Sequence, residues 1–95
     1  MTTRWDDIKR QRPLNREGQE EYRRTRLAVD VANQVRALRT KLGISQGELA
    51  RRMGTSQPVI ARLEAGGGPP SLRTLERIAD VLDADLTVRL RARAS

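Results

Sequence analysis

Residues 45–64, SQGELARRMGTSQPVIARLE, carry the start and stop signals of two short helices in close succession. Ser45 and Ser56 each stand where a helix N-cap is expected, because a serine hydroxyl accepts a hydrogen bond from a backbone N–H of the first turn. Glu48 completes a capping-box pattern with Ser45, and Gly54 supplies the left-handed residue that ends the first helix. The segment therefore predicts two short helices joined by a tight turn.

Apolar residues at steps of three and four extend the helical prediction to both sides. A helix capped by Asn15 ends at Gly43, and a last helix starts at Ser71. Pro58 is tolerated because it falls in the first turn of its helix. The residues expected to face the core are Ala28, Val31, Val35, Leu38, Leu42, Leu49, Ala50, Met53, Val59, Ile60, Leu63, Leu72, Leu75, Ile78, Ala79 and Leu82.

The end of the chain follows a different period. Leu86, Val88 and Leu90 alternate with polar residues, which is typical of a β-strand. A single strand has nothing in this chain to pair with, so we expect it to pair with a second copy or with another protein. The predicted fold is all-α, a compact helix-turn-helix bundle of about four to five helices with one C-terminal strand paired across a dimer.

Composition limits the chain to one small domain and favours an anionic partner. It has 95 residues, a net charge of +7 and a pI near 11.4. Nucleic acid, an anionic membrane surface and an acidic protein all satisfy such a charge. The chain divides into an N-terminal, partly helical arm (1–26), a helix-turn-helix domain (27–84) and a strand with tail (85–95). No apolar run approaches the roughly 20 residues that span a bilayer, and we expect a cytoplasmic protein.

The absence of Cys and His excludes whole classes of chemistry. Disulfides, thiolate catalysis, Cys/His metal sites and mechanisms with a histidine base all require these residues. No pair of carboxylates is spaced for acid–base work. We therefore expect no enzyme activity, no metal and no cofactor.

The second of the paired helices leaves a small, partly cationic face outside. Its residues Gln57, Pro58, Ala61 and Arg62 share that face by their i, i+4 spacing. Glutamine can bond bidentately to adenine and arginine to guanine, while proline or alanine can contact a thymine methyl. This face can therefore read bases in a DNA major groove, although the same residues would also suit an ordinary solvated surface.

The stretch ISQGELARRMGTSQPVIARLEAG, followed by PSLRTLERIADVL, resembles the Cro/CI-type (XRE-like) helix-turn-helix family over about residues 31 to 84. The resemblance implies base reading by Gln57 and Arg62, with Pro58 and Ala61 at neighbouring groove positions. It also implies a phosphate contact by Gln46 at a helix N-terminus. Arg39 and Glu64 match a buried ion pair in the family. Further phosphate contacts are expected from Ser56, Arg52 and Arg73.

The loop after the second paired helix departs from the family pattern. Residues 65–70, AGGGPP, contain no cation, whereas this loop in the family often carries Lys or Arg. Backbone N–H groups of the glycines can take the place of such side chains at a phosphate. We therefore expect either glycine N–H groups or Arg51 and Arg52 to supply that contact.

Three further motifs flank this core: RPLN at residues 12–15, YRR at residues 22–24 and ADLTVRLRA at residues 84–92. With these motifs the chain resembles the HigA-like antitoxins of bacterial toxin-antitoxin operons. The resemblance implies a homodimer that binds a palindromic operator in double-stranded DNA, represses its own operon and neutralises a RelE/HigB-like toxin. Trp5, Ile8 and Tyr22 are the candidate toxin contacts, within an arm that concentrates acidic residues.

Two other functions remain open at the level of sequence. The chain can be a stand-alone, phage-repressor-like transcriptional regulator. It can also be a protein-interaction module in which the arm binds a partner and operator specificity is absent. Binding of the chain to its own upstream DNA would separate these possibilities.

Overall fold

The computed structural model describes residues 15–94 and contains four α-helices in that range. Helix α1 spans Arg16–Leu42, α2 spans Gln46–Met53, α3 spans Gln57–Glu64 and α4 spans Leu72–Val81. Helices α2 and α3 contact each other, and α1 packs on α3 while α4 packs on α2. The predicted all-α helix-turn-helix fold is confirmed.

Local capping chemistry explains where these helices begin and end. The side chains of Asn15, Ser45 and Ser71 each accept a hydrogen bond from the backbone N–H three residues later. Gly43 and Gly54 adopt left-handed φ values of 73° and 71° and end α1 and α2.

Two details of the predicted caps were wrong. The Glu48 side chain does not return to the N-cap of α2 but bonds Arg51 and Arg52, because two guanidinium groups lie within its reach at i+3 and i+4. Ser56 occupies the N-cap of α3 but makes no side-chain cap hydrogen bond. The start of α3 therefore depends on packing more than on its cap.

The core lies where α1, α2, α3 and α4 meet. Leu49, Ile60 and Leu82 are its largest fully buried side chains. Burial of one such side chain contributes about 1.5 to 3 kcal/mol to folding. The remaining buried members of this cluster are Val35, Ala50, Met53 and Ile78.

Four apolar residues predicted to face the core are instead exposed. They are Leu38, Leu42, Val59 and Leu72. On α3 the inward positions belong to Ile60 and Glu64, four residues apart, so Val59 is turned away by about 100° and is 52 % exposed. On α1 the alanines Ala28 and Ala32 take the buried face, because small side chains permit close approach.

The first three turns of α1 contribute no buried residue to the core. None of residues 16–27 is buried, and the exposed ion pairs Arg16–Glu20 and Arg24–Glu21 lie along them at 3.4 and 3.6 Å. The predicted boundary between residues 26 and 27 falls inside this helix. Trp5 and Ile8 lie outside the described residues.

Residues 84–94 have no regular secondary structure, and residues 15–94 contain no strand. Leu86, Val88 and Leu90 are all exposed, and Leu90 is 96 % exposed. A strand is defined by hydrogen bonds to a neighbouring strand, which one copy of this chain does not offer. The strand therefore stays a prediction. In the same range, no helix is long and apolar enough to cross a membrane.

Candidate nucleic-acid interface

The outward face of α3 is the candidate reading surface. Gln57, Pro58 and Arg62 are exposed and Ala61 is half-buried, so the structure brings together all four residues predicted for this face. Val59 is exposed as well, about 60° around the helix from Arg62, although the sequence pattern assigns it to the core. The i, i+4 spacing of Ile60 and Glu64, both inward, was the signal that could have placed Val59 outside.

Beneath this face lies a buried ion pair between α1 and the end of α3. Arg39 donates from Nε to Oε2 of Glu64 at 2.6 Å and from Nη2 to Oε1 at 2.8 Å. Glu64 is 3 % exposed, and it is the one charged residue of 15–94 that is fully buried. Arg39 also donates from Nη1 to the carbonyl oxygen of Ile44 at 2.8 Å, while Arg36 bonds the Glu64 carbonyl oxygen. The pair thus ties α1 to α3 and to the turn before α2.

The charges of this pair are stabilised by their mutual contact. The hydrogen bond from Arg39 lowers the pKa of Glu64 despite burial, which acts in the opposite direction. A further hydrogen bond from Gln46 lowers the pKa of Glu64 in the same sense. The hydrogen bond between Arg39 and Glu64 also raises the pKa of Arg39. Both groups are therefore ionised at neutral pH, as a buried pair with bidentate geometry requires.

Two glutamines connect this buried ion pair to the surface through hydrogen bonds. Gln46 donates from Nε2 to Oε1 of Glu64 at 3.2 Å, and Gln57 donates from Nε2 to Oε1 of Gln46 at 2.8 Å. The amide of Gln57 is thereby oriented before any ligand arrives, which reduces the entropy lost on binding. Because only one of its N–H groups is used here, Gln57 keeps a donor and its carbonyl oxygen for a base edge.

The arginines near α3 differ in whether they are paired with a carboxylate. Arg51 and Arg52 both pair with Glu48, at 2.6 and 2.9 Å, so this carboxylate offsets part of their charge. Their hydrogen bonds to Glu48 lower the pKa of that carboxyl to about 2. Arg73, at the second position of α4, is exposed, and so is Ser56 at the start of α3.

Two of the three glycines in the loop after α3 use their N–H groups within the chain. The N–H of Gly66 donates to the carbonyl oxygen of Leu63 at 3.1 Å, and that of Gly67 donates to the carbonyl oxygen of Arg62 at 3.0 Å. These two N–H groups satisfy the last carbonyls of α3 and are not directed at a ligand. The expectation that they replace the missing loop cations was therefore wrong for Gly66 and Gly67.

Two short helices in this arrangement, with a polar and cationic outer face on the second, define a helix-turn-helix domain. The helix-turn-helix family model matches residues 35–88 of the chain. The chain belongs to the XRE-type helix-turn-helix family. It is a DNA-binding transcriptional regulator of this type.

Curated relatives agree with this assignment. An uncharacterised HTH-type transcriptional regulator of Haemophilus influenzae is 37% identical over 70 residues, which are 74% of this chain and 71% of that protein. Antitoxin HigA1 of Mycobacterium tuberculosis is 44% identical over 54 residues, which are 57% of this chain. The matched part makes up 36% of the length of HigA1, so most of that antitoxin has no counterpart in the match.

A solved structure shows the same fold. The restriction-modification controller protein C.AhdI from Aeromonas hydrophila superposes with a TM-score of 0.61 at 30% sequence identity. The superposition covers 64% of this chain and 88% of that one. The range matched by the family model, residues 35–88, contains both α2 and α3.

Proposed function

We propose that the chain is a dimeric repressor that reads a palindromic operator in double-stranded DNA with α3. The observation that carries this proposal is the amide of Gln57, held by Gln46 on an exposed helix face that also presents Arg62. In a two-fold dimer the two copies of α3 would enter successive major grooves, about 34 Å apart along the duplex.

Each residue of the face has a role in this proposal. Gln57 bonds the N6 and N7 edge of adenine, and Arg62 bonds the O6 and N7 edge of guanine. Pro58, Val59 and Ala61 contact thymine methyl groups. The phosphate contacts would come from residues around the ends of the helices, where N–H groups and side chains meet the DNA backbone. They are Gln46, Ser56, Arg52 and Arg73.

An apolar surface supports the proposed homodimer. Leu27 and Leu38 of α1, Leu72 of α4 and the tail residues Val88 and Leu90 expose large side chains, and all five line one groove. A second copy brings the same surface and a second alternating tail, so the tails of two copies can pair as strands. We therefore propose that Leu86, Val88 and Leu90 form an intermolecular strand over this groove.

We also propose that the chain is an antitoxin that neutralises a RelE/HigB-like toxin. The relative HigA1 supports this step. The exposed start of α1 carries Glu17, Glu20 and Glu21, of which Glu20 and Glu21 pair with Arg16 and Arg24. A basic toxin would compete with these arginines for the carboxylates. Tyr22 lies half-buried on the same segment, and Trp5 and Ile8 are proposed from sequence as its apolar companions.

Operator recognition is tested with a random pool of duplexes and with DNA from upstream of the gene. The purified chain should select one two-fold symmetric sequence and bind it about 10³-fold or more tighter than a scrambled duplex at physiological salt. Equal, weak binding to both duplexes would contradict the proposal and favour a protein-interaction module.

The antitoxin step has a separate test. The product of the neighbouring gene is expressed alone and with the chain, and growth and messenger-RNA cleavage are measured. The chain should restore growth and block cleavage, and Trp5→Ala with Tyr22→Ala should weaken both effects without changing operator binding. A neighbour that is harmless, or a chain that does not protect, would leave a stand-alone phage-repressor-like regulator.

A further inference from the structure

The loop after α3 runs back over the last turn of that helix and touches Arg62. A Cβ atom placed on Gly67 would lie 2.6 Å from Cγ of Arg62, 3.2 Å from its Nε and 2.9 Å from its backbone oxygen. Carbon atoms in ordinary contact are about 3.5 to 4.0 Å apart. The space that a side chain at position 67 would need is therefore already filled, mostly by the Arg62 stem and partly by the Arg62 carbonyl oxygen.

Backbone conformation does not explain the glycine at this position. Gly66 and Gly68 have φ values of 78° and 137°, which other residues rarely adopt, whereas Gly67 lies outside this left-handed range. At Gly67 the constraint is close approach alone. The loop is fixed there because the Gly67 N–H donates to the Arg62 carbonyl oxygen at 3.0 Å.

We infer that Gly67 is a specificity-determining residue that acts through Arg62. By lacking a side chain, it leaves room for the Arg62 stem against the loop and so sets the direction in which the guanidinium leaves α3. This inference rests on the proposed role of Arg62 in reading a base.

The size of the effect follows from rotamer geometry. A side chain at position 67 pushes Cγ of Arg62 out of its present well, and the neighbouring staggered wells are about 120° away. A guanidinium at the end of so long a stem then moves by several ångströms. A bidentate contact to guanine requires donor–acceptor distances of about 2.7 to 3.2 Å, so such a displacement breaks it.

The test is a double-variant cycle on DNA selectivity. Wild-type protein first selects its preferred duplex from a random pool. Binding to that duplex and to its single-base-pair variants is then measured for Arg62→Ala, Gly67→Ala and the double variant. We expect Gly67→Ala to lose about tenfold or more in selectivity at the same base pair as Arg62→Ala. We expect the double variant to be no less selective than Arg62→Ala alone.

Gly68→Ala is the matched control, because it strains the same loop at φ 137° but meets no atom within 4 Å. It should leave selectivity at the Arg62 base pair unchanged. The Nε–Hε resonance of Arg62 provides a second readout in the free protein and should shift in Gly67→Ala but not in Gly68→Ala. Arg62→Ala removes the contacts to Cγ and Nε but not the contact to the backbone oxygen, so by urea unfolding the double variant should be more stable than Gly67→Ala and less stable than Arg62→Ala.

Unchanged selectivity in Gly67→Ala, or additive losses in the double variant, would overturn the inference and leave operator reading intact. A double variant no more stable than Gly67→Ala would overturn it as well, because the Arg62 stem would then contribute nothing to the clash. Wild-type protein that selects no sequence from the pool would overturn the proposed function, and this inference with it.

Discussion

The Nε2 of Gln57 lies 2.8 Å from Oε1 of Gln46, and this hydrogen bond joins the exposed face of α3 to the start of α2. Gln46 bonds Glu64 in turn, and Glu64 bonds Arg39. A polar chain therefore runs from a buried ion pair to a residue proposed to contact a base. Substitutions at the buried end should alter both the stability of the domain and the orientation of Gln57.

Arg39→Ala should destabilise the domain by about 3 to 5 kcal/mol, because it leaves the Glu64 carboxylate buried without its partner. Urea unfolding followed by circular dichroism gives the free energy of unfolding. Arg16→Ala breaks an ion pair of which both side chains are largely exposed, and it should change that free energy by less than about 0.5 kcal/mol.

Replacing both partners should cost less than removing one. In Arg39→Met with Glu64→Leu no charge is left buried, so we expect the double variant to be more stable than Arg39→Ala. It should still bind operator more weakly than wild type, because Gln46 loses its acceptor on Glu64. A double variant as unstable as Arg39→Ala would show that lost packing, and not an unpaired charge, causes the loss of stability at this site.

Stability should fall as the pH drops below about 4.5. The contact with Arg39 lowers the pKa of Glu64 in the folded state below its ordinary value of 4.5. The unfolded chain therefore binds the proton first, so the contribution of Glu64 is present above pH 4.5 and is lost as the pH falls through the folded-state pKa. Unfolding free energies measured from neutral to acid pH should show this slope, and Glu64→Gln should reduce it.

Glu48 provides the matched comparison, because its pKa is lowered to about 2 by Arg51 and Arg52 on the helix surface. The contribution of Glu48 to the free energy of unfolding has the same sign, but salt screens it because the carboxylate lies at the surface. At an ionic strength of about 1 M the slope due to Glu48 should shrink, while the slope due to Glu64 should persist. A slope at high salt that Glu64→Gln leaves unchanged would contradict the assignment.

Arg62 and Arg73 should differ in how their loss affects DNA binding. Arg62→Ala should cost about 1 to 3 kcal/mol on the preferred duplex and relax selectivity at one base pair. Arg73→Ala should weaken binding about equally on all sequences and reduce the slope of log K against log salt by about one, as expected for one lost phosphate contact. Salt-titrated binding to preferred and scrambled duplexes separates the two. Equal losses on all duplexes for Arg62→Ala would exclude base reading by this residue.

Leu90→Asp should shift the chain toward monomer if the tail pairs across a dimer. A charge would have to be buried against the apolar groove that contains Leu27 and Leu72. Sedimentation equilibrium should give a dimerisation constant weaker by about tenfold or more, and operator affinity should fall with it. Leu42→Asp is the control, because Leu42 is exposed but lies outside that groove. Equal effects of both variants would place the dimer interface elsewhere.

Sequence was sufficient where the physical cause is local. Asn15, Gly43, Ser45, Gly54 and Ser71 mark helix ends correctly, because a cap depends on residues within one turn. The exposed positions of Val59 and Leu38 were not predictable in this way, since the face a helix buries is decided by the elements packed against it. A periodic pattern identifies an apolar stripe along a helix, but it does not say which part of that stripe becomes buried.

In the candidate site, too, the sequence predicts what depends on local spacing better than what depends on tertiary contacts. The positions of Gln57, Pro58, Ala61 and Arg62 follow from spacing on one helix. Arg39 and Glu64 are 25 residues apart in sequence, and their pairing was expected from family resemblance alone. The bonds from the Gly66 and Gly67 N–H groups to the end of α3 repeat the C-cap pattern seen at Gly43 and Gly54, so the glycines after α3 were a local signal for them.

The proposed reading helix is eight residues long and its Ser56 makes no side-chain cap bond. Isolated helices shorter than about 12 to 15 residues are marginal in water, so α3 has its shape only while Ile60 and Glu64 are held by the rest of the bundle. A synthetic peptide of residues 56–65 would have no ordered surface to present. DNA binding by α3 should therefore be lost at the temperature at which the whole domain melts. Every substitution that weakens the core should lower that temperature.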